Sequence, residues 1–152
     1  MSNTSSCGAR LTVDLSPEPI DLAAVLAQQA DDRHGAHSIF VGTVRNHDPQ
    51  ADGERVVAID YSAHPHAQEI LAAAVSELID NLLDTPHACA TVVHRIGRVL
   101  LGEPALLVVV STPHRNPGLD TVAPLVERIK EVAPIWKQQI LEDGRQLWSN
   151  LP

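Results

Sequence analysis

The chain has 152 residues, 44% hydrophobic and 20% charged, with a formal net charge of −8, which is the composition and length of one globular domain with a real core. That charge excludes a broad nucleic-acid surface, because phosphate contacts need an extended basic field. The longest apolar run, ALLVVV at 105–110, is far too short to span a bilayer.

Residues 1–9 read as a disordered polar tail, without the charged start and apolar stretch of a secretory signal, and residues 10–152 as a single domain. Cys7 and Cys89 fit neither a metal spacing nor a CxxC pair, so two reduced thiols in a cytoplasmic protein are expected.

RLTVDL (10–15) alternates polar and apolar residues and predicts a strand. SPEP breaks it. IDLAAVLAQQA (20–30) predicts a short helix with Asp21 as its N-cap. HSIFVGTVRNH (37–47) is β-branched and apolar, hence a strand, with Gly42 at a bulge or close approach. After the polar loop DPQADGE, RVVAIDYSA (55–63) is the next strand. PHAQEILAAAVSELIDNLLD (65–84) is the clearest helix: Ile70, Leu71, Ala74, Val75, Leu78, Ile79 and Leu82 form an apolar stripe, and Pro65 suits the first helical position.

ACATVVHRIG (88–97) and ALLVVVSTP (105–113) predict two strands joined by RVLLGEP, the second apolar on both faces as a central strand would be. HRNPGLD leads into a helix ending near Val132. Pro124 either lies in the first turn of a helix that starts near Thr121 or kinks a longer one. Pro134 ends that helix. IWKQQIL, EDG and RQLW then predict a terminal β-hairpin. This order implies an α+β fold with a mostly antiparallel sheet, three helices and a C-terminal hairpin.

Dinucleotide, nucleoside-triphosphate, zinc-protease and serine-nucleophile motifs are absent, so neither a metal nor a cofactor is expected. His64 and His66 form an HxH without a recognisable third ligand. His94 reads as a satisfied, partly buried strand histidine. Three basic groups stand at ends of elements, where sites are assembled. Arg45 follows a strand in VRNH. His114 and Arg115 stand just before a helix, whose free N–H groups suit an anion. Lys130 and Lys137, the only lysines among 11 cationic side chains, flank Pro134. Lysine, unlike arginine, changes its pKa readily on burial and can act as a nucleophile or proton donor; at a helix C-terminus it also has the plain reading of a favourable dipole contact. Together these residues would suit a phosphate and a carboxylate.

SIFVGTVRNHD, LVVVSTPHRN and RIKEVAPIWK, in this order and at these intervals, resemble the large, catalytic subunits of molybdopterin synthase, the MoaE-like family. IDYSAHP and VVHRIGRVLLGEP resemble its intervening segments, so the likeness runs from about Leu11 to Trp148. It implies an α/β-hammerhead fold and a homodimer carrying a small ubiquitin-like subunit at each end. That subunit ends in Gly-Gly with a C-terminal thiocarboxylate. Its sulfur goes to cyclic pyranopterin monophosphate (precursor Z) to build the molybdopterin dithiolene. The resemblance implies Lys130 and Lys137 as catalytic residues, and Arg45, His114, Arg115 and Phe40 as substrate-binding ones. Gln138 and Gln139 depart from the basic residues frequent in the family. Two other readings share such a pocket: a module that docks a ubiquitin-like tail without chemistry, and a protein that binds a small anion. Arginine would serve either, so two lysines in an arginine-using chain favour the enzyme.

Overall fold

A run of apolar and β-branched residues with no polar face must be covered on both sides, and residues 105–110 organise the fold accordingly. Among residues 10–149, which the computed structural model describes, the chain runs β1 (Leu11–Ser16), α1 (Leu22–Gln28), β2 (Ala36–Thr43), a one-turn 3-10 helix (Pro49–Ala51), β3 (Val56–Ala63), α2 (Ala67–Leu82), β4 (Cys89–Arg95), β5 (Gly97–Leu100), β6 (Pro104–Thr112), α3 (Arg115–Val132), β7 (Ile135–Leu141) and β8 (Gln146–Ser149). The tail expected over residues 1–9 lies outside the described residues.

The strands form two four-stranded sheets rather than one, ordered β1-β4-β6-β2 and β5-β3-β7-β8. Only β1 and β4 run parallel; the other pairs are antiparallel. In β6 the strand period of two decides which layer each residue serves. Leu106, Val108 and Val110 pack with Leu71, Val75 and Ile79 of α2 and with Leu125 and Ile129 of α3. Leu107 and Val109 point the other way and meet Val25 of α1. The second sheet gathers its own cluster around Val56, Ile59, Val99, Ile135 and Leu141.

Local chemistry fixes the helices. The Asp21 side chain accepts the Ala24 N–H at 3.1 Å and caps α1 as expected, a contact worth about 1 kcal/mol. In α2 the buried line is Ala67, Leu71, Val75 and Ile79. Ile70 and Leu82, at the edges of the expected stripe, are 43% and 44% exposed. α2 begins at Ala67 after an N-cap at His66, so Pro65 precedes the helix. α3 starts at Arg115 rather than near Thr121, which leaves Pro124 inside it and exposed. There it supplies no N–H to the Asp120 carbonyl, but its ring faces solvent and displaces no packing.

Two further expectations need correction. The joining segment RVLLGEP contains most of a strand, β5, which pairs with β3 in the second sheet. Four residues with one buried side chain, Val99, carry too little periodicity to announce a strand. Gly97, at φ 81°, takes the turn from β4 into β5 in the left-handed region that glycine enters without a Cβ clash. Second, Cys89 is disulfide-bonded, not a reduced thiol; Cys7, the other cysteine of the sequence, lies outside the described residues. No helix among the described residues is long and apolar enough to cross a membrane.

Candidate active site

The two sheets and the C-terminal end of α3 enclose a cavity of about 390 Å³. Four of the expected site residues line it: Phe40 from β2, Arg45 from the segment after β2, Lys130 from the last turn of α3, and Lys137 from β7. The two lysines converge because Pro134 turns the chain between them. α3 closes with the Ala133 N–H on the Ile129 carbonyl, and the Pro134 carbonyl then accepts the His64 N–H at 3.0 Å. β7 therefore leaves at once along β3, with Lys137 opposite Tyr61.

Gly42 makes room for Phe40. A Cβ on Gly42 would come within 3.3 Å of the Phe40 ring. The β2–β6 register also shifts between Gly42 and Thr43, the irregularity expected there. It ends β2 four residues before His47 and releases Arg45 and Asp48 to the cavity mouth.

The cavity wall is dry enough to move protonation. Burial pushes Lys137 below its ordinary value; Asp48 opposes that shift, and the cations Lys130 and Arg45 add to it. Burial raises the Tyr61 phenol to about 12. Burial also lowers His94, against the lift of its hydrogen bond to the Arg95 carbonyl, and Lys137 lowers it further. A cavity with fixed positive charge, one desolvated lysine and an aromatic wall suits an anionic ligand that undergoes proton transfer.

His114 and Arg115 are not in this cavity. They border a separate recess with Gly35, Ala36, Pro113 and Asn116. In the β2–β6 register Ala36 stands opposite Thr112 while Thr43 stands opposite Pro104, so the recess lies at the other end of these strands. Seven residues of strand separate the two places by roughly 20 Å. His114 is the N-cap of α3 but makes no side-chain capping bond, and Arg115 is exposed. One copy of the chain therefore unites Phe40, Arg45, Lys130 and Lys137 and leaves the His-Arg pair apart.

Tyr61, His94, Asp48 and Gln139 also line the cavity, and none was singled out from the sequence as a site residue. Gln139 had a signal: two residues after Lys137 on a strand, it must share its face. Tyr61 and His94 had none, because each belongs to a different sheet and they come together only where the two sheets meet. The His94 Nδ1 is satisfied by the Arg95 carbonyl at 2.6 Å, so the expected bonded histidine is half of the finding. The His64 ring accepts the His66 backbone N–H at 3.0 Å. Among the described residues no three His, Cys, Asp or Glu side chains come together as a metal set.

A family model described as MoaE protein matches residues 15–132. The chain is similar to a curated molybdopterin synthase catalytic subunit from Bacillus subtilis (strain 168), with 34% identity over 134 residues, 88% of this chain and 82% of that protein. Its structure is similar to molybdopterin synthase from Staphylococcus aureus, at a TM-score of 0.77 and 32% identity, covering 90% of this chain and 95% of that one. A protein–protein complex of subunit 1 and 2 of molybdopterin-converting factor from Helicobacter pylori 26695 shares the fold at a TM-score of 0.67 and 20% identity, covering 93% and 91%.

Proposed function

The chain belongs to the MoaE protein family, whose curated relatives are molybdopterin synthase catalytic subunits, and from that premise we propose how its cavity transfers sulfur in molybdenum cofactor biosynthesis. The donor is the C-terminal thiocarboxylate of a small ubiquitin-like subunit, whose Gly-Gly tail enters the cavity. The acceptor is cyclic pyranopterin monophosphate, which becomes the molybdopterin dithiolene. The observation that carries this reading is the meeting of Lys130 and Lys137, the chain's only lysines, with Arg45 and Phe40 at one cavity.

Both ligands are anions, and a net charge of −8 makes a local cationic cluster necessary to hold them. Lys130 meets the thiocarboxylate and moves protons there. Lys137, half-buried and with its pKa lowered chiefly by burial, stabilises developing charge and contacts the pterin. Arg45 holds the phosphate, and Phe40 offers the ring of the substrate a flat apolar wall. The reactive sulfur arrives with the partner, so no nucleophilic cysteine is required of this chain.

A small partner subunit is supported by the Helicobacter pylori neighbour, whose two subunits were solved as a complex. A homodimer gives His114 and Arg115 their part. Standing at the far end of β2 and β6 from their own cavity, they serve the phosphate site of a second copy.

The test is reconstitution: the purified chain, a thiocarboxylated small subunit and cyclic pyranopterin monophosphate, with product read as the fluorescent oxidised derivative of molybdopterin. Product supports the reading. Absence of product with the small subunit bound favours a docking module.

A further inference from the structure

A thiocarboxylate that gives up its sulfur must replace it. Its acyl carbon loses a C–S bond and gains an oxygen, and water is the available source. Once the sulfur has bonded to a side-chain carbon of the pterin, displacing an oxygen substituent that leaves with the electron pair of its C–O bond, the carrier is held as a thioester. A water oxygen must then bond to the acyl carbon while one of its protons is taken up. The C–S bond breaks with its electron pair on the substrate sulfur, and the carrier leaves as a carboxylate. The residues placed at the thiocarboxylate and the pterin are cations with no lone pair to offer, so the proton acceptor for that water is another group.

We propose that His94 is the general base for this water, a catalytic residue for acyl hydrolysis; the inference rests on the sulfur-transfer reading of the cavity. His94 lines the cavity from the end of β4. Its Nδ1 faces the Arg95 carbonyl at 2.6 Å. A carbonyl can only accept, so Nδ1 carries the proton and Nε2 carries the lone pair. Nε2 has no hydrogen-bond partner among the described residues, and it is not among the buried, unpartnered atoms. The ring is held edge-on to Tyr61, with centroids 5.1 Å apart and planes at 79°.

The titratable and charged groups that line the cavity with it come from several elements, while the residues paired with it on β1 and β6 are Leu15 and Leu106. Tyr61 stands on β3, Lys137 on β7 and Lys130 on α3, with Arg45, His47 and Asp48 on the segment after β2. The lysines and Arg45 are cationic. The Tyr61 phenol, raised to about 12, keeps its proton. His47 is exposed, with Nδ1 3.1 Å from the Asn46 amide oxygen. Desolvation, against the lift of the Arg95 hydrogen bond and with the help of the Lys137 charge, favours the neutral His94 imidazole, which is the state a base needs. Lys137, whose cross-strand neighbour Tyr61 touches the His94 ring, supplies positive charge for the oxyanion. Base and oxyanion partner thus come from the two different sheets.

The experiment follows single turnovers of the full complex with thiocarboxylated small subunit and cyclic pyranopterin monophosphate, by intact mass of the small subunit and by product. Wild type, His94→Gln and His94→Ala are compared across pH. The expected result is normal binding of the small subunit, accumulation of a carrier–substrate adduct, and release of that adduct slowed on the order of 100-fold in both variants. The acid limb of the release rate disappears, and added imidazole restores release in His94→Ala. Adduct release at the wild-type rate in either variant overturns the proposal, as does slow turnover with neither adduct nor imidazole rescue. A wild-type complex that binds the small subunit but never makes product overturns the sulfur-transfer reading itself, and the His94 role with it.

Discussion

Tyr61 and Lys137 are cross-strand partners in the antiparallel β3–β7 ladder, and both line the cavity. Their protonation equilibria move in opposite directions for one reason. Burial at this wall disfavours both the phenolate of one and the ammonium of the other.

Lys137 therefore weakens the fold where it is charged. Its folded pKa lies below the unfolded value of 10.5, so the unfolded chain binds more protons between the two, and stability rises with pH through that window. Tyr61 contributes the opposite slope only above its unfolded value of 10.0. Urea unfolding of Lys137→Met should show a higher midpoint than wild type at neutral pH and a shallower rise with pH below 10.0. An unchanged midpoint and slope would show that the ammonium is fully hydrated in the folded chain.

Acid should act through the histidines. His37 and His94 are both lowered from 6.5, chiefly by burial. Their contribution to stability is complete above 6.5 and is lost as the pH falls below it, because the unfolded chain is protonated first. Thermal unfolding of His94→Gln should lose less between pH 7 and pH 5 than wild type does, as expected when one buried histidine no longer titrates.

Exchanging either lysine for arginine keeps the charge and removes the tunable amine. Lys130→Arg and Lys137→Arg should each lower molybdopterin formation by about 100-fold or more. Small-subunit affinity, read by titration calorimetry, should stay within a few-fold of wild type. Equal loss of affinity and turnover would make these lysines docking residues.

The proposed division of the site between two copies would have an arithmetic signature. Chains carrying Lys137→Ala and chains carrying His114→Ala with Arg115→Ala should each be inactive alone. Mixed and reassorted, half of the dimers are hybrids, each with one of two sites intact, so roughly a quarter of wild-type activity should return. No recovery in demonstrably mixed dimers would place the His-Arg pair outside the reaction.

α3 lies against β2 at Gly118, where an added Cβ would stand 2.6 Å from the Ser38 Oγ and 3.2 Å from the Thr112 Oγ1. Gly118→Ala should lower stability by about 1–3 kcal/mol. Adding Ser38→Ala should recover part of that loss, as a double-mutant cycle in denaturant can show. Strict additivity would mean that the helix shifts bodily instead.

The elements were legible where a period persisted. The i, i+4 line of Leu71, Val75 and Ile79 and the alternation in β6 each encode a buried face in nearest-neighbour chemistry. β5 escaped because four residues cannot establish a period, and the second sheet escaped with it. In the site, the lysine pair was legible from rarity and the flanking Pro134, and Arg45 from its place after a strand. That His114 and Arg115 stand apart from them, at the other end of β2 and β6, follows from the strand register, which no local pattern contains. Tyr61 and His94 depend on two sheets meeting, a relation between segments about 30 residues apart in sequence.

That meeting has a mechanical side. A single residue, Ile96, separates β4 from β5, and the chain passes from one sheet to the other there with no slack. His94 stands two residues before this corner, and Val99, fully buried in the second sheet, three residues after it. β5 pairs with β3, whose Ile59 and Tyr61 line the cavity opposite His94, so this corner ties the two walls of the cavity together. The tail proposed to enter this cavity would meet walls held by that corner, and the ordering cost of association would fall on the incoming tail rather than on the receptor. Affinity should then respond to how stiff that tail is, and hardly at all to loosening of the loops around the mouth.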